Sequence, residues 1–152
     1  MAVAERLLVD TNVLLEATDE KRPHHQDARD LIESYRGLVF PAQVIREYLV
    51  VATRPTTANG LGLSLDHTLA NVAEFRRVIR LLGESRPLLP TLLRLLAEVS
   101  CRGVQIHDAH IVASAMVHRV ETIVTLNVDD FARFSPGVTA VTPQGVKDRL
   151  NE

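Results

Sequence analysis

Short, mostly apolar runs alternate along this chain with longer stretches in which apolar residues recur every three or four positions. Leu7–Val9, Leu38–Phe40, Arg86–Leu89, Thr122–Thr125 and Val138–Val141 predict strands. Pro23–Ser34, Ala42–Thr53, Asp66–Leu82, Thr91–Cys101 and His107–His118 predict helices between them. Such alternation is the pattern of a parallel α/β sheet, and the segments joining the first four predicted strands are long enough for crossovers. The last connection, Asp129–Phe134, is short and predicts about one helical turn. Pro55, Asn59, Gly60 and Gly62 break regular structure, so Arg54–Leu65 predicts an exposed loop between two helices. Pro90 suits a first helical turn, and Pro143 with Gly145 marks a late turn before a brief terminal helix. No repeat or linker divides the chain, which reads as a single domain over residues 1–152.

Composition narrows the class. Apolar residues make up 46% of the chain and Trp is absent, so the core must be aliphatic. The lone Cys101 cannot form an intramolecular disulfide, which points to a reducing compartment. Neither a signal segment nor an apolar run near the roughly 20 residues of a membrane span is seen, so a soluble cytoplasmic protein is expected. The formal charge of −2 gives no general support for nucleic-acid binding. If some acids were neutralised by cations, Lys21, Arg22, Arg46, Arg54, Arg102 and Arg133 would be candidate phosphate contacts. Each serves equally well as an ordinary solubilising charge.

The candidate chemistry lies in acids placed at the ends of apolar segments. Asp10 directly follows Leu7–Val9, outside the carboxyl end of an expected central strand, where open α/β sheets bind ligands. An Asp there can also cap the next helix. Glu47 falls at the border of the apolar arc formed by Val44, Ile45, Tyr48 and Val51, a position open equally to a solvated side chain. Asp108 opens a helix whose segment Ile111–Val117 is polar only at Ser114, so it stands at the mouth of the core. Helix-end electrostatics alone would also favour an acid at that point. Asp130 follows Thr122–Thr125 by a few residues, and it or Asp129 could cap the turn before Phe131.

Taken together, these acids are the oxygen-rich donor set expected of Mg²⁺ or Mn²⁺, ions that retain waters and bind phosphates. Buried acids repel one another and resist desolvation, so a fold rarely gathers them without a cation. No His or Cys set has zinc-site spacing, and no GxxxxGK[ST] or GxGxxG loop is present.

At these residues the chain resembles the PIN-domain ribonucleases, in particular the VapC toxins of prokaryotic toxin–antitoxin pairs. The segments LLVDTNVLL, AQVIREYLVVATRP, HDAHIVASAM and TLNVDDF match the four motifs in order and context over nearly the whole chain. The resemblance implies a three-layer α/β/α fold with strand order 3-2-1-4-5, in which the first and fourth strands are neighbours. It implies a Mg²⁺- or Mn²⁺-dependent endoribonuclease, with RNA as substrate, a cognate antitoxin as partner and a homodimer as the assembly. Carried over, Asp10 and Asp108 would be the principal metal ligands and Glu47 would complete the site and orient the attacking water. Thr11, Asn12 and Thr125 would hold the carboxylates and the adjoining loop. Many relatives carry an acid where this chain has Asn127, so either Asp130 supplies a fourth carboxylate or Asn127 contributes a neutral oxygen.

His107 and His110 flank Asp108 within reach of an RNA phosphate, although such residues are more often structural, as are His24 and His25 at a helix start. The hairpin around Arg54–Leu65 resembles the clip through which these toxins dimerise or meet their antitoxin, with Ile45 and Leu49 either on that surface or in the core. Two rivals remain at this level. One is an HD-type metal phosphohydrolase, suggested by His107-Asp108; the other is a non-cleaving PIN-like module that binds RNA or a partner.

Overall fold

The computed structural model describes residues 3–152. Five short strands, β1 (Leu7–Val9), β2 (Leu38–Pro41), β3 (Arg80–Leu82), β4 (Thr122–Val124) and β5 (Thr139–Val141), form one parallel sheet. Their order is β3-β2-β1-β4-β5, with helices on both sides, as the resemblance implied. Leu7, Leu8 and Val9 pair with Thr122, Ile123 and Val124, which puts the carboxyl ends of β1 and β4 level with each other. Chain direction diverges between these two strands, so the crevice of a parallel sheet opens there.

The helices are α1 (Thr11–Thr18), α2 (His25–Ser34), α3 (Ala42–Thr53), α4 (Leu65–Val78), α5 (Leu88–Glu98), α6 (Gln105–Val117) and α7 (Pro143–Leu150). Among the described residues, none is long and apolar enough to cross a membrane. β1, β2 and β4 are buried throughout, because helices cover both faces of these central strands. The core is aliphatic apart from Phe40, Tyr48, Phe75, Phe131 and Phe134. Ala109 and Ile111–Ala115 of α6 are buried, so its first turn emerges directly from the core.

Two predicted boundaries are corrected. Arg86–Leu89 is not a strand: the third strand is Arg80–Leu82, inside the segment expected to continue the preceding helix. Only Ile79 separates α4 from β3, and no Gly or Pro marks the change. Arg80 and Leu81 are exposed on this edge strand, so the pattern of a buried strand is missing there. Leu88 instead begins α5, where Pro90 fits the first turn because its missing N–H is one that the helix leaves free. In addition α1 follows Asp10 immediately, and the long loop contains a short 3-10 turn at Thr56–Ala58. The parallel sheet also removes the all-helical scaffold that an HD-type phosphohydrolase needs.

Candidate functional site

Asp10 is extended at the end of β1 and caps α1, its Oδ1 accepting the Thr11 backbone N–H at 2.8 Å. Its other oxygen accepts the Thr125 hydroxyl at 2.9 Å and, more weakly, the Asn12 amide at 3.3 Å. Capping and site-building are therefore one arrangement at this residue. The Thr125 hydroxyl is saturated: it donates to Asp10 and accepts from Asn12 Nδ2 at 3.0 Å and from the Asn127 N–H at 3.1 Å. Asn12 Oδ1 accepts the Leu126 N–H at 3.0 Å. These bonds clamp the segment after β4 onto the start of α1.

Glu47 approaches from α3, the helix that follows β2. One of its oxygens accepts the Thr11 hydroxyl at 3.1 Å and the other accepts Gln43 Nε2 at 2.9 Å. Thr11 thus touches two acids, Asp10 with its backbone and Glu47 with its hydroxyl. Asp108 enters from the first turn of α6. Asp130 lies in a 3-10 segment, Val128–Phe134, anchored below by buried Phe131 and Phe134. Four separate elements thereby deliver carboxylates to the crevice between β1 and β4.

Electrostatics report the crowding. Burial first, and then the charges of Asp10, Asp130 and Glu47, push the Asp108 carboxyl up to about 6. Arg133 opposes them. Asp10 is also raised, chiefly by burial and then by Glu47 and Asp130, although its bonds from Thr125 and Thr11 hold it down. Asp130 therefore acts on both neighbouring acids. Asn127 joins through its backbone N–H to Thr125. Among the described residues, no three His, Cys, Asp or Glu side chains form a ready-made metal cage. An open set of carboxylates suits Mg²⁺ or Mn²⁺, which keep most of their waters, better than a closed site would. The donor chemistry and the mutual repulsion both fit a divalent cation.

The remaining candidates separate. His107 Nδ1 lies 3.7 Å from Glu47 Oε1 at the rim. His110 is held below its usual pKa, first by burial and then by Arg46. His25 Nδ1 bonds the Glu16 carbonyl at 2.7 Å, and the His24 N–H donates to the Glu16 carboxylate at 3.0 Å, so this pair belongs to the α1–α2 connection. Arg22 is engaged by Glu16 and Asp19. Ile45 packs partly against the core. Gln43 was missed in the sequence. It is a buried amide one helical turn before Glu47, lying beyond Glu47 outside the apolar arc, so the sequence carries no signal for its burial.

The PIN-domain family pattern matches residues 7–135 of the chain. Ribonuclease VapC48 of Mycobacterium tuberculosis is 34% identical over 120 residues, covering 75% of this chain and 82% of that protein. The DNA-bound VapBC structure from Salmonella typhimurium aligns with a TM-score of 0.68 at 20% identity, over 92% of this chain and 99% of that one. A toxin–antitoxin complex from Klebsiella pneumoniae gives 0.64 at 24% identity, over 90% and 97% of the two chains. At such identities the structural likeness speaks for a shared fold.

Proposed function

The chain belongs to the PIN-domain family, and from that premise we propose that it is a metal-dependent endoribonuclease, the toxin of a toxin–antitoxin pair. The observation that carries this reading is the meeting of Asp10, Glu47, Asp108 and Asp130 at one sheet edge, where Asp108 feels the other three charges. Asp10 and Asp108 are the principal ligands of Mg²⁺ or Mn²⁺, with Asp130 as the further acid. A cation held there would neutralise charge at an RNA phosphate and lower the pKa of water beside it. In this reading Glu47 orients the attacking water, and the bonds its carboxylate accepts from Thr11 and Gln43 support that role. Thr11, Asn12 and Thr125 keep Asp10 aimed at the crevice, while Asn127 ties the following loop to Thr125. No side chain is needed as a covalent nucleophile.

Residues 1–152 form one domain in this reading, acting on cellular RNA in the cytoplasm. Similarity to VapC48 and to VapBC assemblies supports an antitoxin partner. Exposed Val50, Leu65 and Leu69 on the α3–α4 hairpin offer an apolar surface for that partner or for a second copy in a homodimer. The test is cleavage of RNA by purified protein in Mg²⁺ or Mn²⁺, with EDTA and Asp10→Asn as controls. Cleavage should require the ion and fall at least about 100-fold in the variant. Undiminished cleavage by Asp10→Asn would sink the assignment. Binding of RNA without cleavage in either ion would replace the nuclease with a binding module.

A further inference from the structure

Gln43 is 4% exposed, and both hydrogens of its side-chain amide are engaged. Nε2 donates to Glu47 Oε1 at 2.9 Å and to the His107 carbonyl at 3.0 Å. Both partners are acceptors, which fixes the orientation of the amide. One amide therefore joins Glu47 on α3 to the residue immediately before Asp108 on α6. It sets the spacing between two acids that come from different elements.

The other end of the same amide is the second observation. Gln43 Oε1 is buried and has no hydrogen-bond partner among the described residues, and the same is true of Ser85 Oγ. Both residues line one small cavity of about 30 Å³, with Arg46, His110, Ser114 and His118 also in its wall. Such a volume has room for a water molecule, and in a largely apolar wall the two unmet groups are the partners that such a water would take. Ser85 sits in the β3–α5 loop, which His118 Nε2 holds through the Gly83 carbonyl at 2.8 Å.

We propose that Gln43 is a positioning residue for Glu47, braced from behind by a water shared with Ser85. This rests on the reading of the acids as a divalent-cation site. Groups that orient a metal's carboxylates typically change affinity by about 10–100-fold when removed. Gln43→Met keeps the length and apolar stem of the side chain but removes both donors and the acceptor.

The experiment is calorimetric titration of the full-length protein with Mn²⁺, with thermal unfolding in EDTA to verify the fold of each variant. Gln43→Met should weaken Mn²⁺ binding by about 10-fold or more. In a Glu47→Gln background the same change should add little, because the carboxylate it positions has gone. Ser85→Ala, on the β3–α5 loop and outside both helices, should weaken binding in the same direction but less. Unchanged affinity in folded Gln43→Met, or full additivity with Glu47→Gln, would overturn the positioning role. Unchanged affinity in Ser85→Ala would overturn the water brace. If the wild-type protein takes up no Mn²⁺, the cation site itself falls and this inference with it, a result distinct from a wild type that binds and a variant that binds equally.

Discussion

Asp108 serves two opposed conditions, since the acids beside it that make a cation site also make its own ionisation costly in the free protein. Its folded pKa of about 6 lies above the ordinary 3.8. Between those values the fold holds a proton that the unfolded chain has released. The stability from this group is thus complete below about pH 4 and is lost as pH rises through about 6. In EDTA, Asp108→Asn should therefore unfold at a higher temperature than wild type at pH 7.5, and the gap should close as pH falls below about 4. The gap is on the order of 1–2 kcal/mol once solvent screening of this half-buried carboxyl is allowed for. A constant gap across that range would show that Asp108 ionises freely. Asp10, Glu47 and Asp108 could be found in the sequence because acids at the ends of apolar segments stand out against their surroundings. The competing capping explanation for Asp10 proved to be part of the same geometry, as its carboxylate receives the first N–H of α1. Gln43 was harder to see: a glutamine on a helix resembles a solvated side chain until the helix it reaches across to is known.

Helix packing behind the site depends on Tyr48, which is fully buried on α3. Its hydroxyl lies 2.8 Å from Thr18 Oγ1 at the end of α1 and accepts Asn71 Nδ2 of α4 at 3.1 Å. The ring meets Phe75 edge-on at 5.4 Å. One side chain thus joins three helices, and α3 is the helix that carries Glu47. Tyr48→Phe keeps the ring but removes the acceptor of Asn71 Nδ2 and one of two bonds of Thr18, whose hydroxyl still donates to the Leu14 carbonyl. The loss should cost about 0.5–1.5 kcal/mol. The melting temperature should fall by roughly 2–4 °C for each kcal/mol lost. An unchanged melting temperature would mean that both polar groups find water instead. The central strands were readable for the reason this core is tight: β1, β2 and β4 are apolar and covered on both faces. β3 is hidden in the sequence because an edge strand with two exposed residues, entered straight from a helix, carries neither a turn signal nor a buried pattern. Pro90 marks the first turn of α5 in the sequence, but Leu88 and Leu89 before it carry an apolar strand-like pattern, and the structure shows that they already belong to the helix.

Across the whole molecule, the acids couple folding, protons and cation binding into a single equilibrium. A group of carboxylates with raised pKa values weakens the free fold near neutral pH, and a divalent ion that binds only the folded state reverses that effect. At a free concentration of 100 times its dissociation constant, such an ion stabilises by about 2.7 kcal/mol. For a chain of this size, that is a rise of roughly 5–10 °C in melting temperature. Mn²⁺ should produce this shift in wild type and leave Asp10→Asn nearly unmoved. Because the ligands must be deprotonated, binding should release protons, and affinity should increase as pH rises through about 6, where Asp108 ionises. The shift measured at one fixed Mn²⁺ concentration should accordingly be larger at pH 7.5 than at pH 5.5. Equal shifts at the two pH values would mean that the ion binds away from Asp108. An equal shift in Asp10→Asn would place it outside the crevice between β1 and β4.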